Sequence, residues 1–267
     1  VEEGVLYGRG AVDAKGPLAC FTDAAAQCGA ADGWQIVVVG AVEEERDSKG
    51  AYFAVGQYHP EYAVIGEPNR WDRVALGYKG TAWAGLTFRR GQEHTASGGQ
   101  TAPEAAVEAW QAVKAFSDDY NADKGRVFEQ LQPSLNSMQS EQGDFEQCAK
   151  IRVGVRLPPA FGPQEWFAKL AELAPDAELQ RLGQPIAAHI CDKNTRLVRA
   201  MLAGIRGEGG SPAFVFKTGT ADLNIVAPVW DCPALVYGPG ESTLDHTPFV
   251  KIELAEYEKA VRVLTSA

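Results

Sequence analysis

The residues best suited to chemistry in this 267-residue chain are carboxylates that follow turns or strand-like segments. Asp13 lies in the glycine-rich segment 8–16 (GRGAVDAKG), and the acidic triplet 43–45 (EEE) follows a valine-rich run. Glu67 directly follows another apolar segment. A glycine-rich turn fixes the position of a side chain, and crowded carboxylates tolerate one another when they share a cation. The pattern therefore indicates a metal-assisted hydrolase, in which one carboxylate binds metal and another accepts a proton.

Two of the four histidines are candidates for the same chemistry. His246 lies in a polar loop after a glycine-proline turn, which favours a metal ligand over a core side chain. His94 follows a predicted strand in a polar loop, which suits contact with a substrate. Zinc accepts a mixed set of oxygen and nitrogen donors, and one carboxylate can bridge two zinc ions.

The composition excludes several other classes of function. A net charge of −10 argues against nucleic-acid binding, and no apolar stretch is long enough to span a membrane. Segment 8–16 is not a phosphate-binding P-loop, because Lys15 precedes Gly16 and no serine or threonine follows. The five scattered cysteines form no C-x-x-C pair, which favours a reducing, cytoplasmic location.

The elements that must position these residues form an α/β fold with a central, mostly parallel sheet. The continuous apolar runs 35–42 and 61–66 predict strands that are buried on both faces. An alanine-rich stretch with Pro17 near its start predicts a helix over 17–30. The C-terminal part predicts a helix over 193–206 capped by Asp192, strands at 213–217 and 233–237, and a helix over 253–266.

The middle of the chain has a different, antiparallel pattern. It predicts a strand at 74–89, a helix at 102–117 capped by Thr101, extended segments at 127–138 and 144–156, a helix at 163–174 and a strand at 177–188. This order, βαββαβ, is that of a ferredoxin-like domain. We therefore predict a catalytic domain of residues 1–75 and 189–267, interrupted by an inserted lid and dimerisation domain of residues 76–188.

The motifs, taken in order, resemble one enzyme superfamily over the whole chain. Segments 8–16, 42–50, 66–68 and 245–248 are similar to those of the co-catalytic di-zinc metallopeptidases. That superfamily includes aminoacylase, carboxypeptidase G, acetylornithine deacetylase and succinyl-diaminopimelate desuccinylase. Segments 42–50 and 217–224 most resemble the acetyl-lysine or acetyl-ornithine deacetylases of lysine and arginine biosynthesis. Some members of that branch release lysine or ornithine from a small acidic amino-group carrier protein.

The resemblance implies a metal site and a base. Asp13 would bridge two zinc ions, with cobalt as a possible substitute, and the peptide bond after Asp13 would be cis. Glu67 would complete the first metal site, and Glu45 and His246 would hold the second. Glu44 would be the general base. A register shifted by one residue, with Glu43 as base and Glu44 as ligand, is the alternative.

The resemblance also implies a substrate site and a homodimer formed through the lid domain. His94 would polarise the scissile carbonyl, in some relatives across the dimer, and Arg156 would bind the substrate carboxylate. The remaining implied substrate contacts are Lys217, Thr218, Gly219, Asn224 and Gly238.

One family motif has no counterpart in the sequence. The first zinc-binding histidine of the superfamily lies in a His-x-Asp motif upstream of segment 8–16, whereas no histidine precedes Asp13 here. Either the sequence is truncated at its N-terminus, or the protein is a non-catalytic homologue that has lost a metal site. A third alternative is a peptidase or carboxypeptidase of the same fold. The favoured function is hydrolysis of an N-acyl amide of lysine or ornithine.

Overall fold

The computed structural model describes residues 1–30, 32–94, 98–244 and 247–267. The chain divides into two compact units. The first contains Val1–Gly77, Ile190–Lys217 and Ala221–Ala267, and the second contains Tyr78–His189 and Thr218–Thr220. The elements, in chain order, are β1 (Val5–Tyr7), α1 (Lys15–Cys28), α2 (Lys49–Val55), β2 (Ala63–Gly66), β3 (Arg73–Tyr78), β4 (Gly80–Gly91), α3 (Ala102–Asn121), β5 (Gln132–Gln142), β6 (Glu146–Leu157), α4 (Pro163–Leu173), β7 (Glu178–Ile186), β8 (His189–Ile190), α5 (Arg196–Gly207), β9 (Ala213–Lys217), α6 (Leu223–Trp230), β10 (Ala234–Tyr237), β11 (Lys251–Glu253) and α7 (Leu254–Ser266).

The first unit is built on a mixed five-stranded sheet. Its strand order is β2-β10-β3-β8, and β9 also pairs with β3. Strands β2 and β10 are parallel, whereas β10 and β3 are antiparallel. All four residues of β10 are buried, as expected for a continuous apolar run in a sheet covered on both faces. The predicted α/β fold is confirmed, although the sheet is less uniformly parallel than the sequence predicted.

The second unit has the predicted βαββαβ order. Its antiparallel sheet has the strand order β5-β6-β4-β7. Alternate residues of β4, such as Ala84, Leu86 and Phe88, enter a core with residues of α3 and α4. Helix α3 begins with a capping box, because Thr101 accepts from the backbone of Glu104 and the Glu104 carboxylate accepts from the backbone of Thr101.

The prediction of a strand at 35–42 is wrong. This segment has no assigned secondary structure, all its residues are exposed, and 51% of the Ile36 surface is accessible. A run of valines indicates a preference for an extended, buried conformation, but a strand also needs a neighbour with which to pair. Among the described residues, no strand pairs with this segment.

Several boundaries also differ from the sequence predictions. Helix α5 is capped by Thr195, whose hydroxyl accepts from the Val198 backbone. The predicted cap, Asp192, instead accepts from the Asn194 backbone. The short helices α2 and α6 were not predicted, since an isolated helix of seven or eight residues is stabilised by packing more than by its own sequence. Within the described part of the chain, no helix is long and apolar enough to cross a membrane.

Candidate active site

The acidic triplet lies in a compact loop that closes between Val42 and Gly50. The Glu43 carbonyl accepts from the backbone of Arg46 at 3.1 Å and of Ser48 at 2.7 Å, and the Val42 carbonyl accepts from Gly50 at 3.0 Å. A Cβ atom at position 50 would lie 2.3 Å from the Val42 nitrogen, so only glycine fits there. These contacts fix the backbone from which the triplet projects.

The three glutamates of this loop have different surroundings. Glu43 has a left-handed backbone (φ 62°), and its Oε2 atom lies 3.0 Å from Nζ of Lys49. Glu44 is half-buried, and Glu45 is exposed. Glu43 thus has an ionic partner from α2, and the choice between the two registers of the triplet stays a prediction.

The packing of Pro17 brings the segments of Asp13 and Glu67 to one edge of the sheet. Pro17 lies in the first turn of α1, and Cβ atoms placed on Gly66 and Gly238 would lie 3.3 and 3.0 Å from its Cβ atom. Gly66 and Gly238 stand at the carboxyl ends of the parallel strands β2 and β10, where α/β sheets commonly build their sites. Gly238 therefore has a packing role, and its predicted contact with substrate stays a prediction.

The segment of Asp13 also adjoins the chain that follows His246. Gly8 donates to the Val250 carbonyl at 3.0 Å, and β1 pairs with β11. The peptide bond between Asp13 and Ala14 is cis, as the resemblance predicts. His246 itself lies outside the described residues.

The donor chemistry of the predicted ligands fits zinc. Asp13, Glu45 and Glu67 are oxygen donors of the first unit, and carboxylates complete many zinc sites together with histidine. Within the part of the chain that the structure describes, no three His, Cys, Asp or Glu residues form a group that could hold a metal ion. The assignment of these ligands stays a prediction.

Asp222 is a half-buried acid beside the loop of residues 42–50, and the sequence analysis did not select it. It occupies the N-cap of α6, but its carboxylate makes no capping hydrogen bond. Instead it accepts from Ser48, and the Ser48 hydroxyl also lies 3.4 Å from the Glu44 carbonyl. The second oxygen, Oδ1, is buried and has no hydrogen-bond partner among the described residues. Burial raises the pKa of the Asp222 carboxyl to about 6 from an ordinary 3.8, and the bond from Ser48 opposes that rise.

We expect Asp222→Asn to stabilise the metal-free protein at pH 7.5 by about 2–3 kcal/mol. The raised pKa means that the folded protein binds this proton more tightly than the unfolded chain does. Ionised Asp222 therefore destabilises the fold fully above about pH 6, and the penalty vanishes below about pH 4, where both states are protonated. Urea unfolding at both pH values measures the difference.

The matched control is Asp231→Asn at the other end of α6. Asp231 is exposed and left-handed (φ 48°), a conformation that asparagine tolerates, so we expect a change below about 0.5 kcal/mol at either pH. A stability gain for Asp222→Asn that is equal at pH 4 and pH 7.5 would contradict the assigned burial penalty.

Segment 217–224 divides between structural and exposed positions. The ammonium of Lys217 donates to the Ser242 hydroxyl at 2.7 Å and to the Pro68 carbonyl at 3.0 Å. Pro68 directly follows Glu67. Asn224 is buried, and its Oδ1 atom accepts from the Ala221 backbone at 3.1 Å. Thr218 is exposed, and no atom lies within 4 Å of a Cβ placed on Gly219. Lys217 and Asn224 thus make local structural contacts, and the predicted substrate contacts of all four stay predictions.

Arg156 is held by a short chain of hydrogen bonds within the second unit. Its Nη1 atom donates to the Thr220 hydroxyl at 2.9 Å, and that hydroxyl donates to the Lys79 carbonyl at 2.9 Å. Lys79 is fully buried, and its ammonium donates to Val127, Gln130 and Gln132. The guanidinium of Arg156, which is predicted to bind the substrate carboxylate, is therefore exposed, and these hydrogen bonds fix its orientation. His94 is exposed in the segment after β4.

Comparison with known proteins identifies the family. The model of "Peptidase family M20/M25/M40" matches residues 1–267, the whole chain. The chain belongs to this family. A Deinococcus radiodurans protein named "[LysW]-lysine hydrolase" is 40% identical to this M20 chain over 279 aligned positions, which cover 100% of the chain and 75% of the relative. A candidate "[LysW]-lysine/[LysW]-ornithine hydrolase" of Thermococcus kodakarensis is 37% identical, over 99% of the chain and 69% of the relative.

Solved structures of two peptidases share the fold. A metallo-carboxypeptidase of the M20 family from Sulfolobus solfataricus superposes with a TM-score of 0.74 at 15% identity, over 100% of this chain and 77% of that one. The di-peptidase Dug1p of Saccharomyces cerevisiae gives a TM-score of 0.73 at 13% identity, over 99% and 72%. The predicted superfamily and the prediction of an amide hydrolase from a metal-dependent family are therefore confirmed.

Proposed function

We propose that this M20 enzyme releases lysine or ornithine from the LysW carrier protein by hydrolysing the amide that links them. The observation that carries the proposal is the 40% identity, over the whole chain, to a relative whose name gives that substrate. The loop of the acidic triplet and the oriented guanidinium of Arg156 support it. Both features suit an amide substrate that ends in a carboxylate.

The metal part of the proposal assigns two zinc ions, or cobalt in their place, to four residues. Asp13, Glu67, Glu45 and His246 would hold these ions, as the resemblance implies. When bound, such ions polarise the scissile carbonyl and lower the pKa of the attacking water.

The chain's own side chains perform the remaining steps of the proposed reaction. Glu44 takes a proton from the attacking water and later delivers it to the leaving amine. His94 donates a hydrogen bond to the carbonyl oxygen as negative charge develops there. Arg156 binds the carboxylate of the lysine or ornithine through a planar fork of N–H donors, and Thr220 holds that fork in place.

The proposal also includes a cytoplasmic homodimer formed through the second unit. All five cysteines are free, which suits a reducing compartment. The ferredoxin-like second unit is the predicted site of dimer formation, and the oligomeric state measured by light scattering tests it.

A substrate panel tests the function. We expect the full chain, supplied with zinc or cobalt, to release lysine from LysW-linked lysine and ornithine from LysW-linked ornithine faster than from a dipeptide such as Ala-Lys. N-acetyl-lysine and N-acetyl-ornithine serve as small substrates with the same leaving amine. Free amino acid is quantified by mass spectrometry, and bound metal by atomic emission. Faster cleavage of the dipeptide, or no release by protein that holds two metal ions, would overturn the proposal.

A further inference from the structure

Two helices of the first unit begin with polar residues whose side chains do not cap them. Ser48 is the N-cap of α2 and Asp222 is the N-cap of α6, and neither side chain accepts a hydrogen bond from its own helix. Serine and aspartate at this position ordinarily accept from a backbone N–H group of the first turn. Here the Ser48 hydroxyl donates to the Asp222 carboxylate instead. A side-chain contact therefore joins the starts of the two helices.

This contact is made by two residues in unfavourable surroundings. Ser48 is buried, and its backbone is left-handed (φ 48°), a conformation that costs energy for any residue other than glycine. The Oδ1 atom of Asp222 is buried without a hydrogen-bond partner among the described residues. Glycine at position 48 and an apolar residue at position 222 would each remove one of these costs. Strain and unpaired polar atoms that a fold retains in this way point to a role in function.

Ser48 contacts the peptide groups on both sides of Glu44. Its backbone N–H donates to the Glu43 carbonyl at 2.7 Å, and its hydroxyl oxygen lies 3.4 Å from the Glu44 carbonyl oxygen. A hydroxyl has one hydrogen to donate, and an ionised carboxylate is a stronger acceptor than a carbonyl. Asp222 therefore fixes the direction of the Ser48 hydroxyl beside the predicted base.

Asp222 itself is held by the turn in which it lies. The Oδ1 atom of Asn224 accepts from the Ala221 backbone at 3.1 Å, which closes the turn around position 222. Ser48, Asp222 and Asn224 all belong to the first unit. The contact thus ties the loop of residues 42–50, which contains the predicted base, to the start of α6.

We propose that Asp222 is a positioning residue for Glu44, and that it acts through the Ser48 hydroxyl on the two peptide groups that flank Glu44. This inference rests on the proposed function and deepens it, since it names a residue outside the reacting groups that the reaction needs. A displacement of about 1 Å at a catalytic group can cost about a hundredfold in rate. Loss of the contact is therefore expected to lower kcat, whereas KM depends on groups elsewhere.

A double-mutant cycle on Asp222 and Ser48 tests the proposal. Asp222→Leu keeps the branched shape of the side chain without an acceptor, and Ser48→Gly removes the hydroxyl at a position whose left-handed backbone suits glycine. We expect each variant to lower kcat for LysW-linked lysine about tenfold, with KM within about threefold. The double variant should also lose about tenfold, because both substitutions break one contact. Losses that multiply, a change in KM alone, or kcat within about twofold for Asp222→Leu would overturn the proposal.

Two conservative variants separate positioning from a general loss of charge. Asp222→Asn keeps an oxygen that accepts from Ser48, so we expect its kcat to stay within about threefold of the unmodified enzyme. Asp231→Asn, exposed at the other end of α6, should stay within about twofold. Metal content is measured on every preparation, and rates are compared at equal content. A loss for Asp222→Asn as large as that for Asp222→Leu would contradict the role of the contact.

Hydrogen exchange of the metal-free full chain gives a readout that needs no turnover. The amides of Arg46, Ser48 and Gly50 are bonded within the loop. We expect peptides that cover residues 42–50 to exchange about tenfold faster in Asp222→Leu and in Ser48→Gly, while peptides of the buried strand β10 keep their protection. Unchanged exchange in the loop would overturn the positioning role. An absence of hydrolysis by the unmodified, metal-loaded enzyme would overturn the proposed function instead.

Discussion

Replacement of Glu44 by glutamine is expected to lower kcat for amide hydrolysis by about 10²–10⁴-fold while bound metal stays unchanged. Glutamine keeps the size of the side chain but cannot take a proton from water at neutral pH. The loop from Val42 to Gly50 is closed by backbone hydrogen bonds that do not involve the Glu44 side chain, so the substitution leaves its framework intact. Steady-state kinetics and metal content, measured on the same preparation, check the result.

Glu43→Gln is the matched control and separates the two registers of the triplet. Glu43 pairs with Lys49, which is largely exposed, so its loss is expected to change kcat by less than about tenfold. The shifted register predicts the reverse: Glu43→Gln would abolish turnover, and Glu44→Gln would lose metal. Finding that pattern would move the base to Glu43 and the ligand to Glu44.

The second large effect is expected at Gly50. A methyl group at this position would lie 2.3 Å from the Val42 nitrogen and 2.8 Å from its carbonyl oxygen, and backbone atoms cannot yield as a flexible side chain does. Gly50→Ala must therefore open the loop that presents the triplet. We expect the free energy of unfolding to fall by about 3 kcal/mol, and turnover to fall even where the protein is fully folded. Urea unfolding and kinetics at low temperature measure the two effects.

Gly56→Ala, at the other end of α2, is the control for this substitution. The nearest atom to a Cβ there is the Phe53 carbonyl oxygen at 3.8 Å, and the backbone is right-handed (φ −86°). Alanine reduces the freedom of the unfolded chain at no steric cost, so a gain of up to about 1 kcal/mol is expected. Equal stability of Gly50→Ala and Gly56→Ala would show that the loop accommodates a side chain at position 50.

The predictions made from the sequence succeeded where a local pattern carries its own physical cause. The start of α3 was predictable because Thr101 and Glu104 satisfy backbone donors within one turn. The βαββαβ order of the second unit was predictable because alternation distinguishes its strands from its helices. The prediction of a strand at 35–42 failed because a run of valines indicates a preference for an extended, buried conformation but does not specify the strand with which it would pair.

The sequence by itself determined the residue types of the candidate site and their order along the chain. It placed an acid after a glycine-rich turn, an acidic triplet before Ser48-x-Gly50 and an acid at the end of β2, which suffices to indicate the family and its chemistry. The tertiary structure decided which groups meet. Pro17 packs between Gly66 and Gly238. The Asp222 carboxylate accepts from Ser48 instead of capping its own helix. The guanidinium of Arg152 stacks on the ring of Trp83. These contacts join residues far apart in sequence, so no local propensity encodes them; they follow from how the packed elements fill space.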